Sequence, residues 1–238
     1  MPIKEGDLLW QPTDDIIEAS NIADYMRWLA KNYELHFEDY QALHAWSTTK
    51  IADFWESLWD YFGLVYSENW SIPLADKSMP GAEWFPDARL NYAENIFAKI
   101  SPDCPAILYK AEDSEIQAIH RDELLDKTTR LAHALRAAGV QKGDRVVAYL
   151  PNIPETIVSV LAVASIGAIW SSCSPDFGAR SVLDRFTQIE PKVLIAVDGY
   201  TYNGRQFDRR DVIANLQAKL PTLEQTILIP HVADNTDG

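Results

Sequence analysis

The chain has 238 residues, 47% hydrophobic and 24% charged, a balance that supports a sizeable buried core. Its 35 Asp+Glu against 21 Lys+Arg give a net charge of -14. That excess argues against a nucleic-acid partner and against docking on anionic lipid, both of which need a basic face.

Two cysteines, Cys104 and Cys173, have no metal-like spacing and suit free thiols in a reducing cytoplasm. The N-terminus lacks an apolar run of signal-peptide length. The longest apolar stretch, "TIVSVLAVASIGAIW", is interrupted by Ser and Gly and falls short of a membrane span. A cytoplasmic protein without a membrane partner is therefore expected.

Residues 1–103 form the first region, with seven of the eight tryptophans. In "IADFWESLWDYFG", Trp55 and Trp59 are one helical turn apart, Leu58 and Phe62 extend the stripe, and Gly63 suits a C-cap. The spacing predicts a packing face, within a mainly helical, aromatic-rich extension. Ser47-Thr48-Thr49-Lys50 has the Ser-x-x-Lys pattern, but here it reads as the start of that helix. "WFPDARLNYAENIF" reads as a loop followed by a short helix.

From residue 104 to 238 the texture is α/β. "PAILY" and "IQAI" flank Glu112-Asp113-Ser114 and predict a hairpin. A helix follows over 122–138, closed by Gly139, then the strand "RVVAYL", stopped by Pro151. Asn152 and Glu155 have the spacing of a capping box for a helix running to Gly167. Residues 168–172 predict a core strand, "ARSVLDRFTQIE" a helix ended by Pro191, and "KVLIAV" a third strand. Asp198-Gly199 reads as a turn, "DVIANLQAKL" as a helix and "QTILI" as a fourth strand. Four such alternations imply a mostly parallel sheet flanked by helices. The polar tail "HVADNTDG" directly after a strand suggests a sheet that continues further along the natural protein.

Several chemistries find no motif. There is no G-x-S-x-G elbow, no G-x-x-x-x-G-K-[ST] loop and no G-x-G-x-x-G fingerprint. His36, His44, His120, His133 and His231 form no ligand cluster, so no metal site and no catalytic residue is assigned. In open parallel sheets ligands bind beyond the carboxyl ends of the strands. Two loops meet that condition: Ser174–Gly178 and "YTYNGRQFDRR". In the second, Tyr200 and Tyr202 offer flat faces, Gly204 allows close approach, and Arg205, Arg209 and Arg210 could grip a phosphate. Solvated loop residues ahead of a helix are the plainer alternative.

"DLLWQPTDD", "FWESLWDYFGL", "WFPDARLNYAENIF", "GVQKGDRVVAYLPNIPETIVSVLAVASIGAIWSSCSPDFG" and "DRFTQIEPKVLIAVDGYTYNGRQFDRRD" run through nearly the whole chain. Together they resemble the N-terminal part of the acetoacetyl-CoA synthetases, within the adenylate-forming acyl-CoA synthetases. The resemblance implies the first part of that superfamily's large N-terminal domain. It also implies an ATP-dependent ligase that joins acetoacetate to CoA through an acyl-adenylate, with Mg2+ offsetting phosphate charge. Such enzymes carry a Ser/Thr/Gly-rich loop ending in lysine, a ribose-binding aspartate and a C-terminal lid lysine, none found in this sequence. The chain alone is thus expected to be inactive, to bind no cofactor tightly and to need the rest of the same polypeptide.

In the related acetyl-CoA synthetases a Phe-Gly-Gly-Phe loop lies against CoA. The matching positions here are Ser174, Pro175, Asp176 and Phe177, which keep only the phenylalanine. Two arginines that those enzymes direct at the nucleotide end of CoA correspond to Tyr202 and Arg205. The resemblance therefore implies CoA contacts at these six residues, with Tyr202 stacking on adenine. The competing readings are a ligase for acetate or propionate, a non-catalytic nucleotide- or CoA-binding module, and a non-binding interaction domain.

Overall fold

Apolar residues spaced three and four apart give a helix one face to bury, and the first quarter of the chain builds its core that way. In the computed structural model, which describes residues 3–112 and 114–232, the helices are α1 (Asp14–Glu18), α2 (Asn21–Tyr33), α3 (Tyr40–Thr49) and α4 (Ile51–Phe62). Ser20 caps α2 by accepting from the Ala23 N–H, and Asp39 caps α3 from the Ala42 N–H. Tyr25, Leu29 and Leu43 are buried, with Trp28, Trp46, Phe54, Leu58 and Tyr61 packed around them.

The inward face of α4 is not the predicted stripe. Phe54, Leu58 and Tyr61 face this cluster with Ser57, fully buried and hydrogen-bonded to the Tyr25 hydroxyl at 2.6 Å. A serine at the centre hides the apolar period from a reading of hydrophobicity. Trp59 is buried instead against Tyr66, Trp70 and Phe85, whereas Trp55 and Phe62 are 45% and 54% exposed. Gly63 does end the helix with a left-handed φ of 55°. Thr48 and Thr49 finish α3 rather than start α4. Both hydroxyls donate back to the Ala45 carbonyl, and Lys50 breaks the helix. A short antiparallel pair follows, β1 (Leu74–Asp76) with β2 (Glu83–Trp84).

Two compact units divide the chain after Arg89, earlier than the change of texture at residue 104. The second opens with α5 (Tyr92–Lys99), capped by Asn91, whose Nδ2 also donates to the Ala164 carbonyl at 3.0 Å. The hairpin β3 (Ile107–Tyr109) and β4 (Gln117–Ile119) forms as expected, with Asp113 outside the described residues. Then come α6 (Arg121–Ala137), β5 (Arg145–Tyr149), α7 (Pro154–Ser165) and β6 (Ile169–Cys173). They are followed by α8 (Ala179–Ile189), β7 (Val193–Val197), the pair β8 (Gly199–Tyr202) and β9 (Arg205–Asp208), α9 (Arg210–Lys219) and β10 (Gln225–Ile229). The polar tail from residue 233 lies outside the described residues.

The predicted capping box does not form. Ile153 takes the cap position and Pro154 opens α7, where its fixed φ is already helical and its missing N–H costs nothing. Thr156 Oγ1 closes the turn instead, donating to the Pro151 carbonyl at 2.7 Å.

The main sheet has four parallel strands in the order β10-β7-β5-β6. All five residues of β7 are buried, because side chains alternate between two covered faces. Val146, Ala148, Val193 and Ile195 pack with Leu135, Ala162 and Val163. Val147, Tyr149, Leu194 and Ala196 pack with Val182, Phe186, Ile213 and Leu216. β6 is not the core strand that its sequence suggests. Among the described strands it stands at the sheet edge with only Cys173 buried, and Ile169 is 51% exposed. Among the described residues no helix is long and apolar enough to cross a membrane.

The burial pattern of α4 makes a direct test. Trp59→Ala should cost about 3–5 kcal/mol of stability and Trp55→Ala about 1 kcal/mol or less, read from urea denaturation. Equal costs would contradict the assigned face.

Candidate ligand edge at the carboxyl ends of the strands

Parallel strands deliver their following loops to one edge, so the segments after β6 and β7 start at the same edge, on either side of the end of β5. After β6 the chain turns through Ser174–Gly178 into α8. After β7 it does not turn at Asp198-Gly199. Asp198 is 3% exposed, and its Oδ1 accepts from the N–H groups of His231 and Val232 at 2.8 and 3.0 Å. Gly199 is required by closeness: a Cβ there would stand 2.5 Å from the Phe207 carbonyl oxygen and from Val232 Cγ2.

The segment read as a loop is the β8–β9 hairpin. Asn203 and Gly204 form its two-residue turn with φ of 50° and 68°. Asn-Gly between alternating residues is the signal for such a turn, and it was available in "YTYNGRQF". Register pairs Tyr200 with Phe207 and Tyr202 with Arg205, which puts all four side chains on one face. Tyr200 and Phe207 stack at 5.1 Å with planes 15° apart. Two residues further out, about 7 Å along the strand, Tyr202 and Arg205 stand side by side at the tip. Tyr202 is 67% exposed, and Arg205 is exposed, its guanidinium without a hydrogen bond or ion pair to any other described residue.

Arg209 and Arg210 are committed elsewhere. The Arg209 guanidinium lies 5.0 Å from the Tyr200 ring centre and 5.8 Å from that of Phe207. Its Nε donates to the Pro175 carbonyl at 2.7 Å, its Nη2 to the Tyr200 hydroxyl at 3.1 Å and its Nη1 to the Asp208 carbonyl at 3.3 Å. Arg210 pairs with the Asp208 carboxylate. That pairing, with the Arg210 N–H and the nearby Arg209 charge, holds the Asp208 carboxyl down at about 2.

The corner after β6 is tied down from below as well. The Tyr149 hydroxyl donates to the Pro175 carbonyl at 2.7 Å and reaches that of Phe177 at 3.3 Å. Burial pushes the Tyr149 phenol up despite Arg209, so it keeps the proton that it donates. Pro175 is buried, while Ser174 and Asp176 are exposed and Phe177 is 39% exposed under the Arg185 guanidinium. The structure thus joins the corner to the hairpin base through Arg209 and pairs Tyr202 with Arg205 at the tip. It leaves an exposed ring beside a cation with no partner among the described residues, an arrangement suited to a ligand with a flat ring and negative charge.

A model of the AMP-binding enzyme family matches residues 96–237, and one of the acetyl-coenzyme A synthetase N-terminus matches residues 40–96. The chain is 41% identical over 228 residues to an acetoacetyl-coenzyme A synthetase of Rhizobium meliloti, covering 95% of this chain and 34% of that protein. It is 39% identical over 235 residues to the acetoacetyl-CoA synthetase of Mus musculus, covering 97% and 34%. The solved acetoacetyl-CoA synthetase of Streptomyces lividans superposes with a TM-score of 0.92 at 45% identity, covering 96% of this chain and 36% of that one. The chain therefore spans about a third of the length of these relatives.

The Asp208–Arg210 pair makes a pH prediction. A depressed carboxyl contributes stability above the ordinary carboxylate range and loses it as pH falls through its own titration. Asp208 should therefore titrate near 2 in a carboxyl-detected NMR series; a midpoint near 4 would remove the pairing.

Proposed function

Because this chain belongs to the AMP-binding enzyme family, we propose that it contributes the N-terminal part of an ATP-dependent ligase that makes acetoacetyl-CoA from acetoacetate, ATP and CoA. In that reaction a carboxylate oxygen attacks the α-phosphorus of ATP and pyrophosphate leaves. The CoA thiol then attacks the acyl carbon and AMP leaves. The agreement of the acetoacetyl-CoA synthetase relatives along nearly the whole chain supports the choice of acid.

What this chain adds is a grip on CoA. The observation that carries it is the Tyr202–Arg205 pair, an exposed ring and a guanidinium unpaired among the described residues, on one hairpin face. Tyr202 stacks on the adenine and Arg205 meets a phosphate of the nucleotide end. Ser174, Asp176 and Phe177 border the ligand at the corner. Pro175 acts through its carbonyl, which fixes corner and hairpin together. Asp176 puts a negative charge beside the phosphates, and the chain's net charge of -14 adds to it, so the local cation has to be well aimed. ATP phosphates and Mg2+ belong to motifs that this sequence does not carry, and the working place of the ligase is the cytoplasm.

A second reading has one observation in its favour. Residues 40–96 match the acetyl-coenzyme A synthetase N-terminus, which fits a ligase for acetate or propionate equally well. A non-catalytic CoA-binding module would share the hairpin grip without any turnover.

The test is a CoA titration of this chain followed by NMR. Shifts should concentrate at Tyr202, Arg205 and Phe177, and Arg205→Ala should weaken binding roughly threefold to tenfold, the range for one exposed charge-assisted contact. Shifts elsewhere, or an unchanged affinity, would take the hairpin out of the site. With ATP and acetoacetate this chain alone should release no pyrophosphate; turnover would overturn the assignment of adenylation to other parts of the polypeptide.

A further inference from the structure

A two-residue turn leaves its two central N–H groups outside the strand ladder, where water normally takes them. In the β8–β9 hairpin they are taken by a side chain instead. The Glu112 carboxylate accepts from the Asn203 N–H through Oε1 and from the Gly204 N–H through Oε2, both at 2.8 Å. Glu112 comes from the connection between β3 and β4, 91 and 92 residues earlier in the chain. That connection is itself braced: the Ala111 N–H donates to Ser114 Oγ at 2.9 Å, and the Ser114 N–H to the Ala111 carbonyl at 3.4 Å. The two N–H groups, held close by left-handed φ at Asn203 and Gly204, form a small concave anion receptor. They hold the Glu112 carboxyl below its ordinary range, Gly204 most strongly.

We propose that Glu112 is a positioning residue for CoA, holding the hairpin tip so that Tyr202 and Arg205 stay side by side in the orientation that receives the nucleotide end. The proposal rests on the CoA reading above. It follows from where the clamps sit. The hairpin base is fixed by Arg209 on the Pro175 carbonyl, but Tyr202 and Arg205 lie beyond that anchor, at the end of a two-stranded ribbon. A two-stranded hairpin alone is marginal in water, so its tip would fray without a second anchor. Glu112 supplies that anchor immediately between the two residues, through the backbone N–H groups of Asn203 and Gly204. Order gained before the ligand arrives is order the ligand need not impose, which raises affinity. A contrasting role is that Glu112 occupies a phosphate receptor and must be expelled by CoA; the two roles predict opposite changes on mutation.

The experiment uses this chain with Glu112→Gln and Glu112→Ala, amide hydrogen exchange and a CoA titration. Exchange at Asn203 and Gly204 should accelerate roughly tenfold in Glu112→Ala, and CoA should bind roughly threefold more weakly. Glu112→Gln keeps one acceptor oxygen and should fall between wild type and Glu112→Ala in both readouts. The thermal midpoint should not move, which separates positioning from general destabilisation. Unchanged exchange would overturn the clamp, whatever CoA does. Faster exchange with unchanged CoA affinity would overturn positioning, and tighter binding would establish the displaced-receptor role instead. A wild-type chain that protects these amides normally but shows no CoA response would sink the underlying CoA reading, and this proposal with it.

Discussion

Parallel strands have to be covered on both faces, and that single requirement organises the α/β unit. β5 and β7 meet it almost completely, with alternate residues committed to two separate clusters. Helices must therefore return along both sides of the sheet, and every crossover brings the chain back in the same direction. The carboxyl ends of all four strands then lie along one edge. Buried β-branched side chains thus determine which loops can meet a ligand together, long before any ligand-contacting residue is considered.

The Pro175 carbonyl oxygen links that scaffold to the edge. It receives a phenolic proton from Tyr149 on a central strand and a guanidinium proton from Arg209 at the hairpin base. A part-buried charge-assisted bond and a buried neutral one converge on one acceptor, so corner and hairpin are held by the same atom. Arg209 does more than bind, since its guanidinium also lies over the Tyr200–Phe207 stack. One side chain thereby joins sheet, corner and ribbon, with three of a guanidinium's five N–H groups spent on doing so.

Continuous apolar runs made β5, β7 and β10 legible, and alternation with helices made the parallel topology legible. β6 looked identical by composition, yet edge or centre depends on neighbours supplied by other segments. The inward face of α4 was masked by Ser57, whose polarity is satisfied by Tyr25 thirty-two residues away. At the candidate site, Tyr202 and Arg205 are legible in the sequence, but their shared face follows from a register set by Asn203-Gly204, a turn signal hidden among polar residues. The commitments of Arg209 and Arg210 were invisible because a guanidinium's partner is decided by tertiary contacts. Glu112 gave no local signal at all: its partners are backbone N–H groups, which no residue pattern announces.

The two-residue turn has a consequence for how such a ribbon can diverge. Substituting Tyr202 or Arg205 changes the chemistry presented at the tip while leaving its direction alone. Adding a single residue to one strand would shift the pairing by one, and side chains alternate, so the shifted strand's aromatic or cationic residues would turn to the opposite side. Neighbouring Glu112 would lose its receptor in the same step. Point changes can therefore retune this edge gradually, whereas a one-residue insertion acts as an all-or-none inversion, and ribbon length becomes as much a determinant of what is recognised as the residues it carries.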